Sequence, residues 1–188
     1  NEGKTTVTVH LALALSRLGR RVLVINCDLH GKPPSEWASS QAAGSGDNGL
    51  PGVTIPDGTD LHIITTLDCG TDPVSYLNST RFRTIIKSAR SSYDIVICDT
   101  PPILSVPDAV VVGRASDALL LVSASDNMNR EPLSTEVSRR VASIGRPVCG
   151  VILTKADTQE ASYTSYSGYG RRRNVSSIMG AIASTRDS

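Results

Sequence analysis

Residues 3–18, GKTTVTVHLALALSRL, decide the fold. Gly3-Lys4-Thr5-Thr6 opening an apolar helix matches the end of GxxxxGK[ST], a phosphate-cradling loop whose first glycine falls upstream of residue 1. In such a loop, backbone N–H groups and the positive end of the helix hold phosphate oxygens. Lys4 then reaches the β- and γ-phosphates, the Thr5 hydroxyl ligates Mg²⁺, and Glu2, Gly3 and Thr6 complete the nucleotide-binding turn. The helix is expected over Lys4–Leu18, with Val7, Leu11, Leu15 and Leu18 on one stripe and Gly19 as its stop.

Outward from this segment, short Val/Ile-rich runs alternate with helical patterns. Strands are expected at Arg21–Asn26, Leu61–Thr65, Asp94–Asp99, Ala118–Ser123 and Val148–Thr154. Most are apolar on successive residues, as parallel strands covered on both faces should be. Helices are expected at Val74–Ser88, after Pro107, and at Arg130–Ile144, where Leu133, Val137, Val141 and Ile144 share a face. Residues 31–60 and 157–174 are loop-like. The alternation predicts an α/β fold, a doubly wound and mostly parallel sheet flanked by helices. No strand precedes the phosphate loop, although that strand is normally central. The chain is therefore expected to lack its first strand and to be part of a longer polypeptide. Residues 1–157 form the expected nucleotide-binding domain, and 158–188 a tyrosine-rich tail with a short C-terminal helix.

Two strand ends carry carboxylates. Asp99 closes Asp94–Asp99, where a nucleotide site's Mg²⁺ carboxylate belongs. Asp28 follows Arg21–Asn26, the strand after the phosphate-loop helix, and is expected near the metal and the γ-phosphate. Thr154-Lys155-Ala156-Asp157 ends the last strand and matches the [NT]KxD element that reads guanine in GTPases.

Composition excludes other classes. In 188 residues the net charge is +1 and aromatics make up 4%, which argues against a nucleic-acid partner and a base-stacking surface. No run approaches the ~20 apolar residues of a membrane span, so the chain itself is expected to be soluble. Cys27, Cys69, Cys98 and Cys149 show no metal or redox spacing; three lie in or beside apolar runs and are expected to be reduced structural residues.

Together, GKTT, Leu23–Pro34 (LVINCDLHGKPP) and Tyr93–Ala109 (YDIVICDTPPILSVPDA) resemble the deviant-Walker, partitioning-type P-loop ATPases. Within these the chain is most similar to the bacterial tyrosine kinases of capsule and exopolysaccharide synthesis, and Asp72–Leu77 (DPVSYL) resembles that family's NP-x-E-L-L turn and helix. The resemblance implies a protein-tyrosine autokinase that uses ATP and Mg²⁺. Lys4, Asp28 and Asp99 would be its catalytic residues, and Thr5, Asp28 and Asp99 its metal ligands. Thr154 and Asp157 would form an adenine-side wall, which keeps ATP ahead of GTP. It also implies phosphorylation of Tyr163, Tyr166 and Tyr169, three of the five tyrosines, by a neighbour in a ring-like homo-oligomer. Further implied partners are a transmembrane chain-length regulator, fused or separate, and a tyrosine phosphatase, with the kinase at the cytoplasmic face of the membrane. The family pattern has two aspartates and a basic residue where this chain has Asn26, Asp28 and His30. Asn26 cannot accept a proton, so weakened turnover is expected. The alternatives are a partitioning- or positioning-type switch ATPase and a nucleotide-binding adaptor of the same family.

Overall fold

The computed structural model describes residues 2–31, 50, 53–54, 60–65, 67, 69–70, 72–125 and 131–156. The chain divides into two units, Lys4–Ser116, and Asp117–Ser188 together with Asn1–Gly3.

The first unit begins with α1 (Lys4–Arg17) and continues through β1 (Val22–Asn26), β2 (Val53–Thr54), β3 (Leu61–Ile64), α2 (Pro73–Asn78), α3 (Thr80–Ser92), β4 (Ile95–Asp99) and α4 (Asp108–Ala115). Its sheet runs β2-β3-β1-β4, with β1 parallel to both β3 and β4, and β2 antiparallel to β3. The expected strands hold to within a residue. Every residue of β1 is buried, as its unbroken VLVIN run requires. Val22 and Val24 pack with Ala12 of α1 and with Leu61 and Ile63. Leu23 and Ile25 face the opposite side, against Tyr76 and Leu77 of α2, Phe82 and Ala89 of α3, and Val112 of α4. Helices thus cover both faces of this sheet. Residues 31–60 are not wholly loop: β2 adds a short edge strand, and Leu50 joins the core.

Two helices depart from expectation. The buried positions of α1 are Thr8, Ala12 and Ser16, not the Val7–Leu11–Leu15–Leu18 stripe, and Leu18 is 76% exposed. Small residues at i, i+4 and i+8 let the helix backbone approach the sheet closely, with Val9, Leu13 and Leu15 packing at its flanks. Gly19 does stop the helix: at φ +78° it lets its own N–H reach Ser16 O at 2.9 Å and the Arg20 N–H reach Leu15 O at 3.2 Å, a Schellman closure. The single helix expected over Val74–Ser88 is two. Ser79 is extended (φ −71°, ψ 160°), ends α2, and caps α3 through Oγ, which accepts from Phe82 N at 3.2 Å.

The second unit pairs β5 (Leu119–Ala124) in parallel with β6 (Val148–Thr154), joined through α5 (Glu131–Ile144). Val141 and Ile144 of α5 are buried, as their place on the expected apolar face predicts, and Gly145 follows at φ +70°. Neither strand is buried throughout as β1 is, and Leu120 and Leu153 remain exposed. Cys149, expected to be buried, is exposed here; all four cysteines are free thiols.

Phe82 is 1% exposed and tilts against Tyr76 at 6.2 Å between ring centroids. Phe82→Ala is expected to cost about 3–5 kcal/mol in urea unfolding. Leu18→Ala, just past the end of α1 and 76% exposed, is expected to stay within about 0.5 kcal/mol of the parent. Equal losses would restore the bulky stripe as the buried face.

Candidate functional site

In the first unit, parallel pairing sets Asn26 beside Asp99 at the carboxyl ends of β1 and β4. The ladder extends one residue further, with the Cys27 N–H donating to Asp99 O at 2.7 Å. Asp99 is buried, and its carboxylate receives two hydroxyls from the first turns of α1: Thr5 Oγ1 donates to Oδ2 at 2.6 Å and Thr8 Oγ1 to Oδ1 at 3.3 Å. Thr5 and Thr8 are one turn apart and share a face, so the helix that opens with Gly-Lys-Thr-Thr aims both at the strand end. Burial pushes the Asp99 carboxyl above its ordinary 3.8; the two hydroxyls and the Lys4 charge oppose this, and the Asp28 charge adds to it. Lys4, Thr5, Asp28 and Asp99, singled out from the sequence, therefore come together around one buried carboxylate.

Both ends of the Asn26 amide are hydrogen-bonded. Its Nδ2 donates to Thr65 O at 3.0 Å, and its Oδ1 accepts from the Asp28 N–H at 3.1 Å, closing an Asx turn that starts the Asp28 segment. Asp28 itself is half-buried. The Cys27 thiol is held well above its usual range, first by a hydrogen bond with Cys98, then by burial and by the charges of Asp99 and Asp108. It is a packing group, not a nucleophile.

Two contributors escaped the sequence reading. One is Thr8, whose only sequence signal is its place three residues after Thr5 on the same helix face. Asp108 was read only as part of a family string. It is fully buried at the start of α4, and its Oδ2 lies 2.7 Å from His30 Nε2. Thr6 is exposed, and its carbonyl accepts from the His10 ring.

In the second unit, Thr154 Oγ1 at the end of β6 donates to the Glu2 carbonyl at 2.6 Å, joining two of the expected nucleotide-binding residues. Gly3 takes φ +80°, a conformation glycine adopts without strain; a Cβ there would meet Thr154 at an ordinary 3.6 Å, so backbone angle and not space calls for glycine. Lys155 is left-handed at φ 54°, and its carbonyl accepts from Ser125 Oγ at 2.7 Å. Asp157, Tyr163, Tyr166, Tyr169 and the expected short C-terminal helix lie outside the described residues.

The Thr5 hydroxyl and the Asp28 and Asp99 carboxylates offer only hard oxygen donors near a helix N-terminus, with the Lys4 charge beside them, a chemistry suited to a hard divalent cation and to phosphate. The chain as a whole is similar to known proteins. A family model described as the CobQ/CobB/MinD/ParA nucleotide binding domain matches residues 1–182. The tyrosine-protein kinase CpsD of Streptococcus agalactiae is 26% identical over 182 residues, covering 91% of this chain and 78% of that protein. The tyrosine-protein kinase wzc of Salmonella typhimurium is 32% identical over 176 residues, 89% of this chain and 24% of that protein. The kinase domain of the Escherichia coli tyrosine kinase ETK superposes with a TM-score of 0.70 at 28% identity, over 91% of this chain and 69% of that one. The septum site-determining protein MinD of Pyrococcus horikoshii, complexed with Mg-ADP, is similar in fold at a TM-score of 0.59 and 21% identity.

Proposed function

We propose that this chain, which belongs to the CobQ/CobB/MinD/ParA nucleotide-binding domain family, is an ATP- and Mg²⁺-dependent protein-tyrosine autokinase of capsule or exopolysaccharide synthesis. The observation that carries the reading is the Thr5–Asp99 bond at the mouth of α1, with Lys4 and Asp28 acting on the same carboxylate. Relatives matching nine-tenths of the chain are tyrosine-protein kinases, which favours phosphoryl transfer to tyrosine over a switch cycle.

The residues divide the work. Glu2, Gly3, Lys4, Thr5 and Thr6 wrap the phosphates, and Thr154 with Asp157 borders the base. Thr5, Asp28 and Asp99 hold Mg²⁺, which when bound neutralises charge on the β- and γ-phosphates. Lys4 adds a further positive charge on the transferring group, and Asp28 and Asp99 orient the acceptor phenol. With Asn26 spent on its two hydrogen bonds, in-line transfer relies on positioning and electrostatics, which supply most of the catalysis in this reaction class. Residues 1–157 serve as the nucleotide-binding domain and 158–188 as the tail. The acceptors are Tyr163, Tyr166 and Tyr169, presented by a neighbouring subunit of a ring. A transmembrane chain-length regulator recruits the domain to the cytoplasmic face of the membrane, and a phosphatase resets the tail. No helix among the described residues is long and apolar enough to cross a membrane.

The test is to incubate the protein with Mg²⁺ and ATP and map phosphotyrosine by mass spectrometry, beside a variant with all three tail tyrosines changed to Phe. Phosphate at Tyr163, Tyr166 or Tyr169, missing from a triple variant that still binds ATP, is the expected result. ATP turnover with an unmodified tail would make the chain a switch ATPase. Binding without turnover would make it an adaptor.

A further inference from the structure

We propose that Asp108 and His30 form a latch that positions Asp28 for the nucleotide's metal; this rests on the reading of Asp28 as a Mg²⁺ ligand. Asp28 stands close enough to Asp99 for its charge to raise the Asp99 carboxyl. Two carboxylates repel each other before any cation arrives, so something must hold Asp28 in place. Upstream, the Cys27 N–H is tied to Asp99 O and the Asp28 N–H to Asn26 Oδ1. Downstream, Leu29 packs against the core and His30 Nε2 meets Asp108 Oδ2 at 2.7 Å. Asp28 is therefore anchored on both sides, and the second polar anchor comes from α4, a separate element 78 residues away.

The chemistry of Asp108 points to a role other than stability. A carboxylate accepts hydrogen bonds only, so the imidazole Nε2–H donates and the ring orientation is fixed. Asp108 is 0% exposed, yet its Oδ1 has no partner among the described residues. A buried carboxylate left half-satisfied costs folding free energy, and an apolar side chain in its place is often neutral or stabilising. Its partner His30 is 41% exposed at the side chain, so water can solvate the imidazole when Asp108 is removed. The pair thus contributes little to stability and much to where the Asp28 segment sits, as residues behind a metal ligand do.

The experiment measures the dissociation constant of a fluorescent ADP with and without Mg²⁺, and the melting temperature, for the parent, His30→Ala, Asp108→Ala, the double variant and His30→Gln. The parent should bind ADP more tightly with Mg²⁺. His30→Ala and Asp108→Ala should each lose about tenfold of that tightening with Mg²⁺-free affinity unchanged. Asp108→Ala should melt as the parent does, whereas His30→Ala should melt lower because it leaves the buried carboxylate with neither oxygen partnered. The double variant should lose no more than either single one. His30→Gln, whose amide N–H can donate to Asp108, should retain most of it. Full retention by the Ala variants, or a parallel loss of Mg²⁺-free binding and melting temperature in Asp108→Ala, overturns the latch. A parent whose ADP affinity ignores Mg²⁺ overturns the metal reading beneath it, a result distinguishable from both.

Discussion

Lys4→Met is expected to reduce tail-tyrosine phosphorylation by about a thousandfold, to background, while leaving the fold intact. Lys4 is the first residue of α1, where the backbone N–H groups of the helix end converge. Methionine keeps the length and apolar stem of lysine and removes only the ammonium. Two losses follow from that one change. The transferring phosphoryl group loses its lysine, whose charge is worth most in a site shielded from water. Asp99 loses a stabilising neighbour as well, because the Lys4 charge is one of the influences holding its carboxyl down against burial. In the variant the Asp99 carboxyl moves further above its ordinary value and competes less well for Mg²⁺ at mildly acid pH. Phosphotyrosine mapping and Mg²⁺-dependent ADP titration measure these losses separately, and a melting curve tests for intact folding. Undiminished phosphorylation in Lys4→Met would remove Lys4 from the chemistry altogether.

How far the site could be read in advance follows from how local its signals are. The α1 start, the β1 run and the Asp at the end of β4 each sit in one short window, and each was placed to within a residue. Hydrophobicity alone is a poor guide to the inward face of α1, whose buried positions are Thr8, Ala12 and Ser16. Against an already apolar sheet the limiting quantity is distance, and Thr8, Ala12 and Ser16 permit the closer approach. The α2–α3 break was missed although Ser79 is a good N-cap residue, because the apolar spacing runs on across it. The His30–Asp108 pair could not be read from spacing at all. Its members lie 78 positions apart and meet only once α4 has packed on the sheet. Asn26 was correctly seen to be neutral, but its structural work was invisible until Thr65 and Asp28 were in place around it.

Asp99→Asn should separate stability from function most sharply. Asp99 is buried at 3% exposure, and its carboxyl is raised above 3.8, chiefly by burial. Between that unfolded value and the raised folded one, the native state binds more protons than the unfolded chain. Stability therefore falls as pH rises through this window, and the loss persists at higher pH. Asparagine has the same shape, and its Oδ1 can accept the Thr5 hydroxyl, but it carries no charge to bury. Near neutral pH the metal-free variant is expected to melt at least as high as the parent and to lose this acid-side dependence. Mg²⁺ and ADP then reverse the order: at a hundred times its dissociation constant a ligand stabilises the parent by about 2.7 kcal/mol, and a variant lacking the buried carboxylate gains little. Phosphotransfer should fall by about a hundredfold or more, the scale set by removing a preorganised electrostatic group. Thermal melts across pH, each run with and without Mg²⁺ and ADP, decide the matter. An Asn variant that is less stable without metal, yet fully stabilised by Mg²⁺ and ADP, would make Asp99 a structural residue and move the metal elsewhere.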